Sequence, residues 1–373
     1  MPLRAIIRGE NVIAPFLDNE AWEHLKKRVK QDNITVVMPC CGNPAYLRTS
    51  KHGFHHFVHK STGNCTSKPE TWQHLKAKHE ITLACHAAGY DATTEVEGDG
   101  WRADVLATKD NVKIAFEVQW SRQTWEITQQ RQQKFTEVGV RGCWFFKSPP
   151  EGYRAERNVP LFKLEVTDED CAIIFNPQSY YDWQEEEHRR IALGDFVMLL
   201  LTGKVKFCER ITAKPQQSVE IQFINLPCWQ CGEFYDVYRV VSTFKTDCGQ
   251  SLYYHMHLYN PDSDLNFAFH PEIQQALSQY AAENNSVELA KFTKYRRKSS
   301  PMPLDAFQCP HCGALLGHKY LMEIYCSDKP DHLQIVMLQM QFRNPPTILE
   351  EDEHFGALHG HWCFPENGQF CCE

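Results

Sequence analysis

The 373-residue chain lacks an apolar run long enough to cross a bilayer. Its most apolar stretch, FVMLLL at 196–201, falls far short of the ~20 residues that a spanning helix needs. The opening residues, MPLRAIIRGENV, lack the apolar centre of a signal peptide, so the expected setting is cytoplasmic, with no membrane association. Also absent are a phosphate-cradling glycine loop, a Ser nucleophile elbow and a cysteine nucleophile with an evident His partner. Internal repeats and low-complexity tracts are missing as well. An overall positive charge, the usual mark of a nucleic-acid binder, is lacking too: the net charge is −8. That figure hides an asymmetry, since residues 1–150 hold 20 Lys and Arg against 16 Asp and Glu, leaving 19 against 31 for residues 151–373. A nucleic-acid surface therefore belongs in the first half. The acidic second half suits a protein partner better than broad phosphate contact.

Cysteine is plentiful, at 16 residues. With no signal peptide and with C-x-x-C pairs present, metal or thiol chemistry is expected ahead of a disulfide framework. Cys228-x-x-Cys231-Gly and Cys309-x-x-Cys312-Gly are two such turns, and four thiolates make a closed structural zinc site. Redox chemistry is the lesser alternative, since neither pair opens a helix in a thioredoxin-like context. Nearer the N-terminus, Cys40, Cys41, His56, His59 and Cys65 lie within 26 residues. Zinc held by Cys41, His56 or His59, Cys65 and a less certain Cys40 is one reading; adjacency argues against Cys40 and Cys41 both reaching one ion. A knuckle held by packing alone is the other.

The segment between these Cys-rich regions has alternating helix and strand patterns. SKPETWQHLKAKHEITLACHAAGY reads as a helix with a Ser-Pro start and a stop at Gly89. ATTEVE, WRADVLAT and VKIAFEVQW read as strands, ITQQRQQKFTEVG as a helix and VRGCWFF as a buried strand. The later stretch QEEEHRRIALGDFVMLLLTGKV reads as a helix, as does an insert at 270–295. Glu117 falls in the middle of an otherwise apolar strand. Such a charge is costly unless it is paired or holds a metal. Gln119 shares its face, because side chains two apart on a strand point the same way. If the strand of Asp104 lies alongside, Asp104 and Glu117 converge, and paired carboxylates suit a hard divalent cation such as Mg²⁺. The alternative is structural pairing of the two carboxylates with Arg102 and Arg122. Upstream, Glu70, His74 and Lys78 are four residues apart along one helix face.

The order ET-x-x-H-x-x-x-K, RADVL, FEVQWS, a helix carrying Arg131, then GCWFF resembles the nuclease domain of the competence protein CoiA-like family, over roughly residues 35–150. The resemblance implies a PD-(D/E)xK, restriction-endonuclease-like core, a mixed sheet flanked by helices, here with an N-terminal Cys/His knuckle region and a C-terminal zinc-ribbon-like module. It implies that Asp104 and Glu117 bind Mg²⁺ or Mn²⁺ with help from Glu70. Gln119 stands where the superfamily has Lys and would position the attacking water. His74, Lys78, Arg122 and Arg131 become candidates for phosphate contact or site support. The implied activity is metal-dependent DNA endonuclease, in DNA processing, repair or defence. A non-cutting DNA-binding or recombination module, or a partner-activated scaffold using the acidic C-terminal half, are the alternatives that Gln119 keeps open. The family's knuckle is C-x-x-C-G followed by HF-x-H, and Met38 occupies the first Cys position here.

The expected organisation is residues 1–66 for the N-terminal strands, helix and knuckle, 67–150 for the nuclease-like core, 151–220 for connecting elements, 221–335 for the zinc-ribbon-like module, and 336–373 for an acidic, His- and Cys-rich tail.

Overall fold

The computed structural model describes residues 2–61, 63, 65, 70–153, 155–174, 190–208, 210–240, 243–245, 251–253, 270–296, 303–316, 333–349 and 361–364. Two compact units emerge, Met1–Phe207 with His359–Phe364, and Cys208–Leu358 with Pro365–Glu373. Of the His- and Cys-rich tail, expected to be surface-packed or disordered with metal binding as the lesser reading, His354, His359, Cys371, Cys372 and the acidic run 350–353 lie outside the described residues, whereas His361 and Cys363 are buried in a short strand. Among the described residues no helix is long and apolar enough to cross a membrane.

The first unit opens with a hairpin, β1 (Arg4–Ile7) and β2 (Glu10–Ile13), and a helix, α1 (Asn19–Gln31). Asp18 caps α1 by accepting a hydrogen bond from the Ala21 N–H. Trp22, Leu25 and Val29 recur at helical spacing and pack against β1, β3 (Val36–Val37) and the hairpin β4 (Ala45–Thr49) and β5 (His55–His59).

Helix α2 (Trp72–Ala87) follows. The expected Ser-Pro start does not begin it. Thr71 is the cap and its hydroxyl accepts the His74 N–H, so Glu70 precedes the helix instead of occupying its first turn. The chain then builds β6 (Asp91–Gly98), β7 (Trp101–Lys109), β8 (Val112–Gln119), α3 (Trp125–Glu137) and β9 (Arg141–Phe146). Three more strands, β10 (Leu161–Val166), β11 (Cys171–Ile174) and β12 (Arg190–Ala192), complete a seven-stranded mixed sheet ordered from β12 through to β6. Pairings are antiparallel except β8–β9 and β9–β10, which run parallel. Helix α4 (Leu193–Leu201) starts later than the sequence pattern suggests. The preceding Arg190–Ala192 is recruited as an edge strand by β11, with Ala172 opposite Ala192.

Helices α2 and α4 cover one face of the sheet through Ala77, Ile81, Phe196 and Val197 on Phe116, Val118, Cys143 and Phe145. Helix α3 covers the other, with Phe135 against Ala103, Ala115 and Trp144. On α2, the His79 ring meets the Phe54 ring edge-on. Burial, with the nearby His55, pulls the His79 pKa down to about 4 from the usual 6.5. The folded state therefore favours neutral His79. Its contribution is intact above pH 6.5 and is lost as pH falls toward 4, amounting to roughly 3 kcal/mol. The pH dependence of thermal unfolding between pH 7.5 and 4.5 is expected to flatten in His79→Gln; an unchanged slope would assign the acid sensitivity elsewhere.

In the second unit the strand Gln216–Pro227 is central, flanked by Phe234–Val240 and Leu333–Gln341. The insert expected to be helical over 270–295 is helical only at Pro271–Glu283. Lys291–Arg296 instead forms a strand with Pro303–Gln308, the strand that leads into Cys309. Phe292 in this hairpin and Ile273 and Leu277 of the helix belong to one apolar core with Phe223 and Tyr238.

Candidate active site and metal centres

Strand alternation fails on β7. On β7, Val105 and Ala107 face α2, whereas Ala103, two residues earlier, faces α3. Asp104 stands at this break. The β7–β8 ladder ends one step earlier, at Val105 opposite Phe116, while β8 continues alongside β9 as far as Gln119. The strands part there, and the Asp104 carboxylate, not a β7 carbonyl, accepts the Val118 N–H at 2.9 Å. Its same oxygen lies 3.1 Å from His74 Nε2. Burial alone would push the Asp104 pKa up, but His74, Lys78 and the Val118 amide hold it well below the usual carboxylate range.

The adjacent β6 has a matching irregularity. Glu95 adopts φ +50°, in the left-handed region that side chains rarely occupy. Ala92 faces α2, and simple alternation would aim Glu95 at the opposite face. The turned backbone brings its carboxylate instead to Lys78 Nζ at 2.6 Å. Strain of this kind costs about 1–3 kcal/mol and persists where the surroundings enforce it. Here the enforcement is visible: Glu95 Oε1 also accepts the Leu3 N–H, and the Glu95 carbonyl accepts Arg4 Nη2 at 2.7 Å. The N-terminal hairpin is thereby pinned to the site.

Lys78 is fully buried and bonds Glu70 through both oxygens at 2.9 Å. Burial opposes its charge, yet Glu95 and Glu70 raise its pKa, so the ammonium stays protonated. Its enclosure makes it a support for the carboxylates, out of reach of a phosphate. Glu117 is buried on the α3 side and pairs with Arg131 at 2.6 Å. The pairings expected in the structural alternative differ: Arg102 lies near Glu97, at 3.8 Å, and Arg122 is exposed. Burial and the negative charge of Asp104 together push the Glu117 pKa up to about 8, against the pull of Arg131. Gln119 donates its amide to the Ser121 carbonyl and hydroxyl, both at 2.9 Å. The Arg131 guanidinium also sits 4.7 Å over the Trp144 ring.

Glu70, His74 and Asp104 thus bring ligand atoms within 4.8 Å of one another, and Glu117 lies outside that group. The spacing suits a cation: two neighbouring ligands of an octahedral Mg²⁺ at ~2.1 Å stand about 3 Å apart, close to the 3.1 Å from His74 to Asp104. Two buried carboxylate oxygens nearby, Glu95 Oε2 and Glu117 Oε1, have no hydrogen-bond partner. Buried polar atoms are rarely left so. The donor set fits a divalent cation. Glu95 escaped the reading of the sequence, because TTEVE looks like ordinary alternation and its positive φ is invisible there.

Two thiol-rich groups also bring ligand atoms within 4.8 Å of one another. Sulfurs held ~2.3 Å from a tetrahedral zinc lie about 3.8 Å apart. Cys228–Cys312 and Cys231–Cys309 measure 3.6 and 3.8 Å. Both C-x-x-C-G turns have the same bonds, Gly232 N–H to the Cys228 carbonyl and Gly313 N–H to the Cys309 carbonyl. Gly232 and Gly313 have φ near +80°, which explains the residue choice. Backbone N–H groups draw the Cys228 thiol down, while the hydrogens that Cys231 and Cys312 share with their neighbours push those two thiols up. In the N-terminal group, Cys40 Sγ lies 3.8 Å from both Cys41 Sγ and His59 Nε2 and 3.6 Å from Cys65 Sγ. The expectation that adjacency keeps Cys40 and Cys41 apart is overturned. The same turn forms here, with Gly42 N–H bonded to the Met38 carbonyl, but Met38 is packed in the core and Cys40 supplies the sulfur in its stead. His59, at the end of β5, joins the set; His56 does not, its Nδ1 lying 3.2 Å from the Phe54 carbonyl. Both groups could hold zinc.

Residues 70–190 match the family model described as competence protein CoiA, nuclease-like domain. No curated protein matches the chain.

Proposed function

We propose, from the premise that residues 70–190 are a CoiA nuclease-like domain, that the protein is a Mg²⁺- or Mn²⁺-dependent DNA endonuclease with a restriction-endonuclease-like core. The observation that carries this reading is the convergence of Glu70, His74 and Asp104 at a break in the sheet, beside the unpartnered oxygens of Glu95 and Glu117. Asp104, Glu70 and His74 would hold the cation, with Glu117 once it loses its proton. When bound, such an ion polarises a phosphoryl oxygen and lowers the pKa of a coordinated water. Lys78 supplies fixed positive charge beside Glu70 and Asp104 and holds both carboxyls below their usual range. Gln119 offers its side-chain carbonyl to orient a water, since its amide is committed to Ser121. Arg131, exposed along part of its length, meets the substrate phosphate on the α3 side. DNA is the substrate and partner, and a protein partner would dock on the acidic second unit.

Plasmid and linear single strands incubated with Mg²⁺, Mn²⁺ or EDTA test the activity: cleavage with metal and none with EDTA is expected. DNA binding without cleavage under any metal would instead favour the non-cutting reading, which the neutral Gln119 and the commitment of Glu117 to Arg131 support. Zinc in both thiol-rich groups would be structural, since every ligand position is filled by protein. Metal analysis is expected to show that Cys228→Ser and Cys65→Ser each lose one zinc. Loss of none would leave the turns as packing devices.

A further inference from the structure

A cavity of about 360 Å³ opens on the α3 side of the sheet, walled by the end of β6, the start of β7 and helix α3. Its charged walls are Arg102, Arg131 and Lys134, opposed by a single carboxylate, Glu97. The Arg102–Glu97 pair is long at 3.8 Å and exposed on both sides, so it neutralises little. Trp101 forms the apolar wall. Its ring meets Phe135 edge-on at 5.6 Å, and it lies so close over Gly98 that a Cβ there would fall inside the indole. Gly98 is therefore what lets Trp101 fold down beside the cations. Arg131 belongs to this cavity and to the Glu117 pair at once, so the cavity adjoins the proposed cleavage site.

We infer that this cavity binds one nucleotide of the substrate strand, its base against Trp101 and its phosphate among Arg102, Arg131 and Lys134. The size falls within the roughly 300–1,000 Å³ of small-molecule sites. An aromatic platform beside a cationic groove is how single strands are held without regard to sequence. The inference rests on the nuclease reading, because Arg131 ties the cavity to Glu117. It assigns the substrate class of that site: a strand with an unpaired base next to the cleaved phosphate. A duplex would first have to give up the stacking and pairing of that base, at a cost of a few kcal/mol.

The test is binding of thymidine 5′-monophosphate to the intact chain in EDTA, by isothermal titration, with inorganic phosphate and thymidine as separate arms. The nucleotide should bind more tightly than either part. Trp101→Leu and Lys134→Glu should each weaken it about tenfold, the size expected for loss of one base stack or one phosphate contact. Lys134 is exposed on α3, so its variant keeps the fold even if Trp101→Leu does not. Phosphate binding as tightly as the nucleotide, or nucleotide affinity unmoved by either variant in folded protein, overturns the inference. Because no metal is present, a protein that never cuts DNA can still pass. One that cuts but fails here loses the nucleotide cavity alone.

Discussion

Replacing Lys78 with Met is expected to cost the first unit about 3–5 kcal/mol of folding stability, the usual effect of breaking a buried ion pair from one side. The arithmetic favours a large value here. Lys78 has no exposed surface, and it is bonded to two carboxylates, Glu70 and Glu95. Its removal strands both, and Glu95 already has one oxygen without a partner. Met fills similar volume, so the loss reports charge more than cavity. Urea unfolding of the intact chain measures it, followed through the first unit's transition. Adding Glu95→Gln to Lys78→Met should return part of the loss, because the two residues share one interaction. A cost below about 1 kcal/mol would mean that water or rearrangement compensates the carboxylates, and the buried-pair account would fail.

The second large effect is expected from Asp104→Asn. If the proposed activity is right, cleavage should fall by at least about a thousandfold, since metal-borne stabilisation is worth several kcal/mol and each 1.36 kcal/mol is a factor of ten. Two further readouts separate this from unfolding. Asn is near in shape and can still accept the Val118 N–H, so the fold should persist with some loss of thermal stability as the pairing with His74 and Lys78 goes, and folded protein by circular dichroism separates this from lost activity. Asp104 also helps hold the Glu117 proton in place, so the Glu117 pKa, about 8 in the parent, should drop when that negative charge is removed. A carboxyl titration followed by NMR would see it. Activity retained within tenfold of the parent would remove Asp104 from the chemistry; an unmoved Glu117 would show that burial alone sets its pKa.

Much of the core was legible in the residues. Helix, three strands, helix and strand appear in the expected order from α2 to β9, because each carries a clean period and a marked end: Thr124 caps α3, and Gly89 and Gly139 take positive φ just past their helices. Legibility faded where the signal was contextual. Arg190–Ala192 has nothing in its three residues to separate it from the helix that follows; only pairing with β11 makes it a strand. Lys291–Arg296 likewise becomes a strand because Pro303–Gln308 lies beside it.

The functional residues divide along the same line. By itself the sequence picked out the side chains on which the proposed function rests: Asp104, Glu117, His74, Lys78 and the C-x-x-C-G thiols are chemically conspicuous at their positions. It also determined that Gln119 is neutral. The tertiary structure alone decided how they are joined. Asp104 is grouped with His74 and Glu70, while Glu117, outside that group, turns to Arg131. Glu95 entered the candidate site through a backbone angle, and Cys40, not the residue at position 38, joins the group that could hold a metal while the turn around it keeps its form. Period and residue type are local properties, written along the chain; strand divergence, a positive φ and the choice of one sulfur over its neighbour depend on what packs against them from far away in sequence.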